Sequence, residues 1–162
     1  MSESIKELLE SILVQEEKCQ FTSFTSQNAL DLGLMLIENA KPFKKPVVID
    51  ITLNGHQLFH YAMQGTNKDN DEWVRRKNNV VTRFGHASYY VGRNLANQGK
   101  SLEEKYYISE KDYATHGGAF PLIIKNVGVV GTITVSGLAQ QDDHNLVANT
   151  IQEFLALQQK QQ

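Results

Sequence analysis

The amino-acid sequence predicts an α+β fold, in which helices flank an antiparallel sheet built from two hairpins. Two pairs of strand-like runs rich in β-branched residues are each joined by a short turn. Segments with apolar residues at helical spacing stand before, between and after these pairs. Because each strand pair can form a local hairpin, the helices are expected to pack on the faces of the sheet.

The first two helices are predicted from apolar periodicity and capping residues. The segment 4–17 carries its apolar residues on one face, and Ser4 with Glu7 matches a capping box. Ser26 is the predicted cap of the second helix. That helix has nearly continuous apolar residues from position 29 to 37, which indicates burial on more than one side.

The first hairpin is marked by its turn. The runs VVIDITL and HQLFHYAM flank Asn54-Gly55, a pair that accepts the positive φ angles of a two-residue turn. After the polar loop GTNKDND, a long helix is predicted from about residue 69 to residue 97. This helix is expected to break near Gly85 or Gly92.

The segment HGGAFPLII leads into the second hairpin. FPLIIK and VVGTITVSG are joined at Asn126-Val127-Gly128, and a last helix is predicted from about residue 142 to residue 158. The whole order resembles profilin-like sheets with helices on their faces. We therefore predict one domain over residues 1–162, with the N-terminal helix 4–17 and the tail 158–162 at its periphery.

Composition favours a soluble, cytoplasmic protein. The 162 residues carry a formal net charge of -2, which gives no electrostatic reason to expect nucleic acid or a membrane surface as partner. Cys19 is the single cysteine, so no intramolecular disulfide can form. The acidic N-terminal segment lacks the pattern of a signal peptide, and no apolar run approaches the ~20 residues of a membrane span.

The sequence lacks a complete motif for three common kinds of site. His56 and His60 fall in a predicted strand, roughly 12 Å or more apart, which is too far for one metal ion. The HGG triplet is typical of a lipase oxyanion turn, but the G-x-S-x-G nucleophile motif is missing. GVVGTITVSG does not match a dinucleotide-binding loop. Zinc, serine-hydrolase and nucleotide chemistry are therefore disfavoured.

The long helix is locally basic and admits two interpretations. Its charges can form a solvated face, or they can form a cationic rim that pairs with carboxylates or phosphates of a ligand. Trp73 and Phe84 supply apolar surface beside these charges. The residues considered for the rim are Arg75, Arg76, Lys77, Arg83 and Arg93.

Three motifs stand together in this chain: GT-x-x-DN-x-x-W, G-G-x-F-P, and G-x-V-G-x-x-x-V-S-G-L followed by Asp143-His144. Together they resemble the haem-degrading-domain family typified by GlcG and HbpS. The likeness extends from about residue 27 to residue 155 and is greatest to the short single-domain branch, uncharacterised protein family 0303. The resemblance implies a helix-flanked sheet that assembles into homo-oligomers, and for some members haem binding or degradation.

Haem binding is therefore the first functional hypothesis. Haem requires an apolar surface, an axial ligand and cations for its propionates. The expected iron ligand is His116, or else His86. The other residues expected at this site for a planar or anionic ligand are Trp73, Arg76, Arg83, Arg93, Gly117 and Gly118.

Two further functions stay open. The absence of a complete catalytic motif favours a non-enzymatic oligomeric scaffold or adaptor, with the basic helix at an interface. An enzyme acting on a small carboxylate or phosphate would instead use His116, Asp143 and His144 as acid–base groups near the HGG turn.

Overall fold

A computed structural model describes residues 4–161. The helices of this part of the chain are α1 (Ile5–Lys18), α2 (Ser26–Ala40), α3 (Lys68–Phe84), α4 (Ser88–Gln98), α5 (Leu102–Tyr106) and α6 (Gln140–Lys160). The strands are β1 (Gln20–Phe21), β2 (Val48–Leu53), β3 (His56–Ala62), β4 (Ala119–Ile124) and β5 (Gly128–Ser136). No helix in the described residues is long and apolar enough to cross a membrane.

The predicted α+β class and its two hairpins are confirmed. The strands form one sheet in the order β1-β4-β5-β2-β3, in which β2–β3 and β4–β5 are the antiparallel hairpins. Antiparallel pairing of β5 with β2 joins the two hairpins. At the first turn Asn54 and Gly55 have φ angles of 50° and 79°, as a two-residue hairpin turn requires. The short edge strand β1 adds one parallel pairing, with β4.

The long predicted helix is divided at the first of its two glycines. Gly85 is left-handed at φ 72° and ends α3, whereas Gly92 lies inside α4. No side chain of α4 itself caps its first turn; instead the Ala87 N–H donates to a carboxylate oxygen of Glu16 in α1, at 3.0 Å. The cap predicted for α2 is wrong by one residue, because the Thr25 hydroxyl accepts the Asn28 N–H and Ser26 is helical.

The two faces of the sheet differ in polarity. One face carries Ile49, Ile51 and Ile133 and packs with α2 and α6 in the main hydrophobic core. The other face carries Asp50 and Thr134 and is covered by α3. A sheet alternates its side chains between faces, so the polar residues of β2 and β5 meet the underside of α3. This polar layer receives the buried polar groups of the site described next.

Candidate functional site

A cleft of about 220 Å³ opens where the HGG loop meets α3, the end of β5 and the start of α6. Separate parts of the chain therefore form its walls. The lining residues are Asn70, Trp73, Lys77, His116, Gly117, Ser136, Gly137, Leu138, Gln140 and Asp143.

Close contacts with neighbouring atoms explain why both positions after His116 in the HGG loop are glycine. A Cβ added to Gly117 would overlap the carbonyl oxygen of Gln140, at the start of α6. Gly118 has φ 139°, and a Cβ there would overlap the Val135 carbonyl and lie 2.5 Å from Nζ of Lys77. The loop can approach both the sheet and the buried lysine only because these two side chains are absent.

We expect Gly118→Ala to lower the free energy of unfolding by about 3 kcal/mol, since it adds both backbone strain and overpacking. Urea unfolding followed by circular dichroism measures this loss. Gly99→Ala is the matched control, because Gly99 is also left-handed, at φ 65°, but its added Cβ meets nothing within 4 Å. The control should lose only about 1 kcal/mol. Equal losses in the two variants would contradict the steric explanation.

A buried ion pair forms the floor of the cleft. Nζ of Lys77 lies 3.3 Å from Oδ2 of Asp143 and donates a second hydrogen bond to the Val135 carbonyl at 3.2 Å. Both side chains are only 3% exposed. The N–H groups of Gly137 and Leu138 also donate to the Asp143 carboxylate. Burial lowers the pKa of Lys77 and raises the pKa of Asp143 to about 6, while each charge partly offsets the shift of the other.

His116 stands at the mouth of this cleft beside aromatic and cationic groups. Its ring meets Trp73 edge-on, with centroids 5.2 Å apart, and the guanidinium of Arg76 stacks over Trp73 at 4.2 Å. Partial desolvation lowers the pKa of His116, and repulsion from Lys77, Arg76 and Arg93 lowers it further. The imidazole is therefore neutral at pH 7 and keeps a nitrogen lone pair for a ligand.

The two arginines near His116, Arg76 and Arg93, have no carboxylate partner in residues 4–161. Arg76 donates to the carbonyl oxygen of Glu110 at 3.3 Å, and that is its only hydrogen bond within residues 4–161. Nε of Arg93 is buried without a hydrogen-bond partner in the same described range. Neither guanidinium is therefore neutralised by a carboxylate in the described residues, and Arg76 lies beside Trp73 and His116, where an anionic group could meet it.

Two of the predicted site residues lie elsewhere. Nδ1 of His86 is 2.7 Å from Oε1 of Glu16, and this hydrogen bond raises the pKa of His86. The Arg83 guanidinium lies over the rings of Phe84 and Tyr113 and does not line the cleft. Of the predicted site residues, Trp73, His116 and Gly117 line the cleft, and Gly118 lies against its floor beside Lys77. Arg76 and Arg93 lie near His116 without lining the cleft, whereas Arg83 and His86 lie elsewhere.

His144 does not join the cleft either. Its Nε2 lies 2.6 Å from Oε1 of Gln15 in α1, and its ring packs against Tyr89 and Phe120. Burial lowers the pKa of His144 to about 4. The acid–base set of His116, Asp143 and His144 therefore does not share one cavity, although Asp143 does line the cleft with His116.

Sequence reasoning misses the role of Lys77 and Asp143. The basic pattern of the helix groups Lys77 with the other charges of a rim, yet Lys77 follows Val74 by three residues and precedes Val81 by four. That spacing puts it on the buried stripe of α3, which is the available signal. For Asp143, the helix dipole alone explains why an acidic residue stands in the first turn of α6, so the sequence gives no reason to expect a buried ion pair there. In residues 4–161 no three His, Cys, Asp or Glu side chains are grouped so as to hold a metal ion.

Comparison with known proteins relates this architecture to one family. The model of that family, described as haem-degrading protein HbpS-like, matches residues 24–152. A UPF0303 protein of Streptomyces coelicolor is 45% identical over 141 residues, which cover 87% of this chain and 89% of that relative.

Solved structures agree with this relationship. The crystal structure of the Ybr137w protein has a TM-score of 0.87 and 36% identity, and the match covers 93% of this chain and 89% of that one. The crystal structure of the PduOC:heme complex shares the fold, with a TM-score of 0.67 at 18% identity over 82% of this chain and 94% of that one. The chain thus belongs to the HbpS-like family of haem-degrading proteins, in which its curated relatives bear the name UPF0303.

Proposed function

We propose that this protein binds haem at the mouth of the cleft, with His116 as the axial iron ligand. The observation that carries the proposal is the position of His116, whose imidazole meets the ring of Trp73 edge-on and lies near two arginines that have no carboxylate partner in residues 4–161. Membership of the HbpS-like family supports it, as does the haem complex known for the distant relative PduOC.

The residues at the mouth fit the chemistry of haem. An imidazole nitrogen is a common axial ligand, Trp73 offers an apolar surface, and Arg76 and Arg93 can pair with the propionates. Bound haem would supply the redox chemistry of its iron. The chain itself would hold the macrocycle, keep His116 unprotonated and neutralise the propionate charges.

The size of the cleft favours a site shared between copies of the chain. A cleft of about 220 Å³ is smaller than the ~300–1,000 Å³ of pockets that enclose drug-sized ligands. The cleft alone would therefore not enclose haem, and a second copy of the chain would complete the site. Exposed leucines at positions 30, 34 and 157, on α2 and α6 at the other face of the sheet from α3, offer apolar surface for a further contact between copies.

Titration with haemin tests the proposal. We expect a saturable shift of the Soret band with the wild-type protein and its loss in His116→Ala, because that variant lacks the axial nitrogen. His86→Ala and His56→Ala are the matched controls and should bind as the wild type does. Sedimentation velocity of the same samples should give a mass above that of one chain.

Three results of this experiment would contradict the haem site. They are an unshifted Soret band with wild-type protein, an unchanged spectrum in His116→Ala, or loss of the shift in His86→Ala alone. An oligomer that gives no Soret shift would favour the alternative function, a non-enzymatic scaffold or adaptor. In that case the protein would act through contacts made by the exposed leucines, and the cleft would not be a binding site.

A further inference from the structure

We propose that the interior of the cleft binds a small monocarboxylate through the ammonium group of Lys77. This inference goes beyond haem binding, because it concerns the floor of the cleft instead of its mouth. An ammonium group has three N–H donors. Within residues 4–161, Nζ of Lys77 makes two hydrogen bonds, to Val135 and Asp143, while its side chain is 3% exposed and lines the cleft.

The neutral polar groups around Lys77 also offer donors. The side-chain oxygen of Asn70 accepts the Asn67 N–H at 3.0 Å, and that of Gln140 accepts the Gly117 N–H at 3.2 Å. These bonds fix the orientation of both amides, so their NH₂ groups are left over as donors. In the described part of the chain neither NH₂ group has an acceptor, and the hydroxyl of Ser136 has no hydrogen bond either.

A cleft that presents mostly donors selects an acceptor-only ligand. An ionised carboxylate has two oxygens that accept several hydrogen bonds and no donor of its own. The carboxylate of Asp143 does not satisfy the remaining donors of the cleft, because its oxygens already accept hydrogen bonds from Lys77 and from two backbone N–H groups. Charge-assisted hydrogen bonds from a buried ammonium are stronger than those between neutral groups.

Charge and size restrict the ligand to a small monoanion. Lys77, Arg76 and Arg93 act on His116 as positive charges, whereas Asp143 and Glu110 are the negative charges nearby. The resulting excess of about one positive charge matches a carboxylate better than a phosphate dianion. The volume of about 220 Å³ corresponds to roughly seven water molecules, which admits a short-chain acid.

Trp73 provides the readout, because it is the one tryptophan of the chain and lines the cleft. We expect propionate, added to haem-free protein at constant ionic strength, to change the Trp73 emission in a saturable manner. Propionamide has the same shape without the charge and should leave the emission unchanged. Inorganic phosphate should bind at least about tenfold more weakly than propionate.

Two variants test the assignment to Lys77. Lys77→Met/Asp143→Asn removes both buried charges together and should weaken propionate binding at least about tenfold. Asn70→Asp keeps the acceptor for the Asn67 N–H but puts a negative charge in the cleft, and should also weaken binding. Lys125→Met, in the exposed turn between β4 and β5, is the control and should bind normally. Linear titrations, equal effects of propionamide, or normal binding by the double variant would overturn the inference.

The carboxylate can come from a free acid or from a haem propionate, and a competition experiment separates these sources. Saturating propionate that weakens haemin binding assigns the cleft to the haem propionate, whereas independent binding assigns it to a free acid. The test is also separable from that of haem binding. A Soret shift without propionate binding would refute only the Lys77 site, and the reverse result would refute only the haem site.

Discussion

Replacing Lys77 by methionine is expected to lower the free energy of unfolding by about 3–5 kcal/mol. The variant leaves the carboxylate of Asp143 buried beside two backbone N–H groups, without its cationic partner. Removing one member of a buried ion pair costs far more than removing both, because the remaining charge stays desolvated. Urea unfolding at pH 7.5, followed by circular dichroism, measures the loss.

The double variant Lys77→Met/Asp143→Asn is the internal control and should recover most of this stability. The amide oxygen that replaces the carboxylate can still accept one of the N–H groups that Asp143 caps. The deficit of the single variant should also shrink as the pH falls toward 6 and below, because the carboxyl, which has lost the pKa-lowering charge of Lys77, is then protonated in the folded state. Equal losses in the single and double variants would show that the charge of Asp143 is not the cause.

Replacing His144 by glutamine should reduce the loss of unfolding free energy between pH 6.5 and pH 4 by about 3 kcal/mol. Burial lowers the pKa of His144 to about 4, below the ordinary value of 6.5. Between these two values the unfolded chain binds a proton that the folded chain does not. The contribution of His144 is therefore fully present above pH 6.5 and is lost as the pH falls toward 4.

Two other groups titrate in the opposite direction, so the comparison must be made between wild type and variant. The raised pKa of His86 gives stability that is present below pH 6.5 and is lost as the pH rises through its folded value. The raised pKa of Asp143 weakens the fold as the pH rises from 3.8 toward 6. His86→Gln is the matched control and should change the profile with the opposite sign. Parallel profiles of unfolding free energy against pH for wild type and His144→Gln would show that His144 does not cause the loss of stability at acid pH.

Most of the fold could be predicted because its signals are local. The Asn54-Gly55 turn, the break at Gly85 and the periodicity of α6 each depend on a few neighbouring residues. The segment CQFTSFTSQ alternates in a strand-like or extended way, but the bounds and the pairing of the edge strand β1 could not be predicted in this way. This strand has two residues, and it forms only because β4, about 100 positions later in the chain, supplies the partner for its backbone.

The site was less accessible to sequence reasoning because its parts are distant in the chain. Trp73 and His116 could be selected by residue type and motif, and the structure does bring their rings together. The alternative ligand His86 pairs with Glu16, which is 70 positions away, and no local pattern indicates that contact. Lys77 and Asp143 are separated by 66 positions, and each has an adequate local explanation without the other.

The same separation has a consequence for the order of folding. The cleft exists only when α3, the HGG loop and the start of α6 have all docked on the end of β5. Contacts between distant parts of the chain form after the local ones, since loop closure must come first. We therefore expect the floor of the cleft to form late in the folding reaction. A nascent chain that still lacks the start of α6 would lack Gln140 and Asp143, so the ligands proposed above could bind only after that helix has been made and has docked.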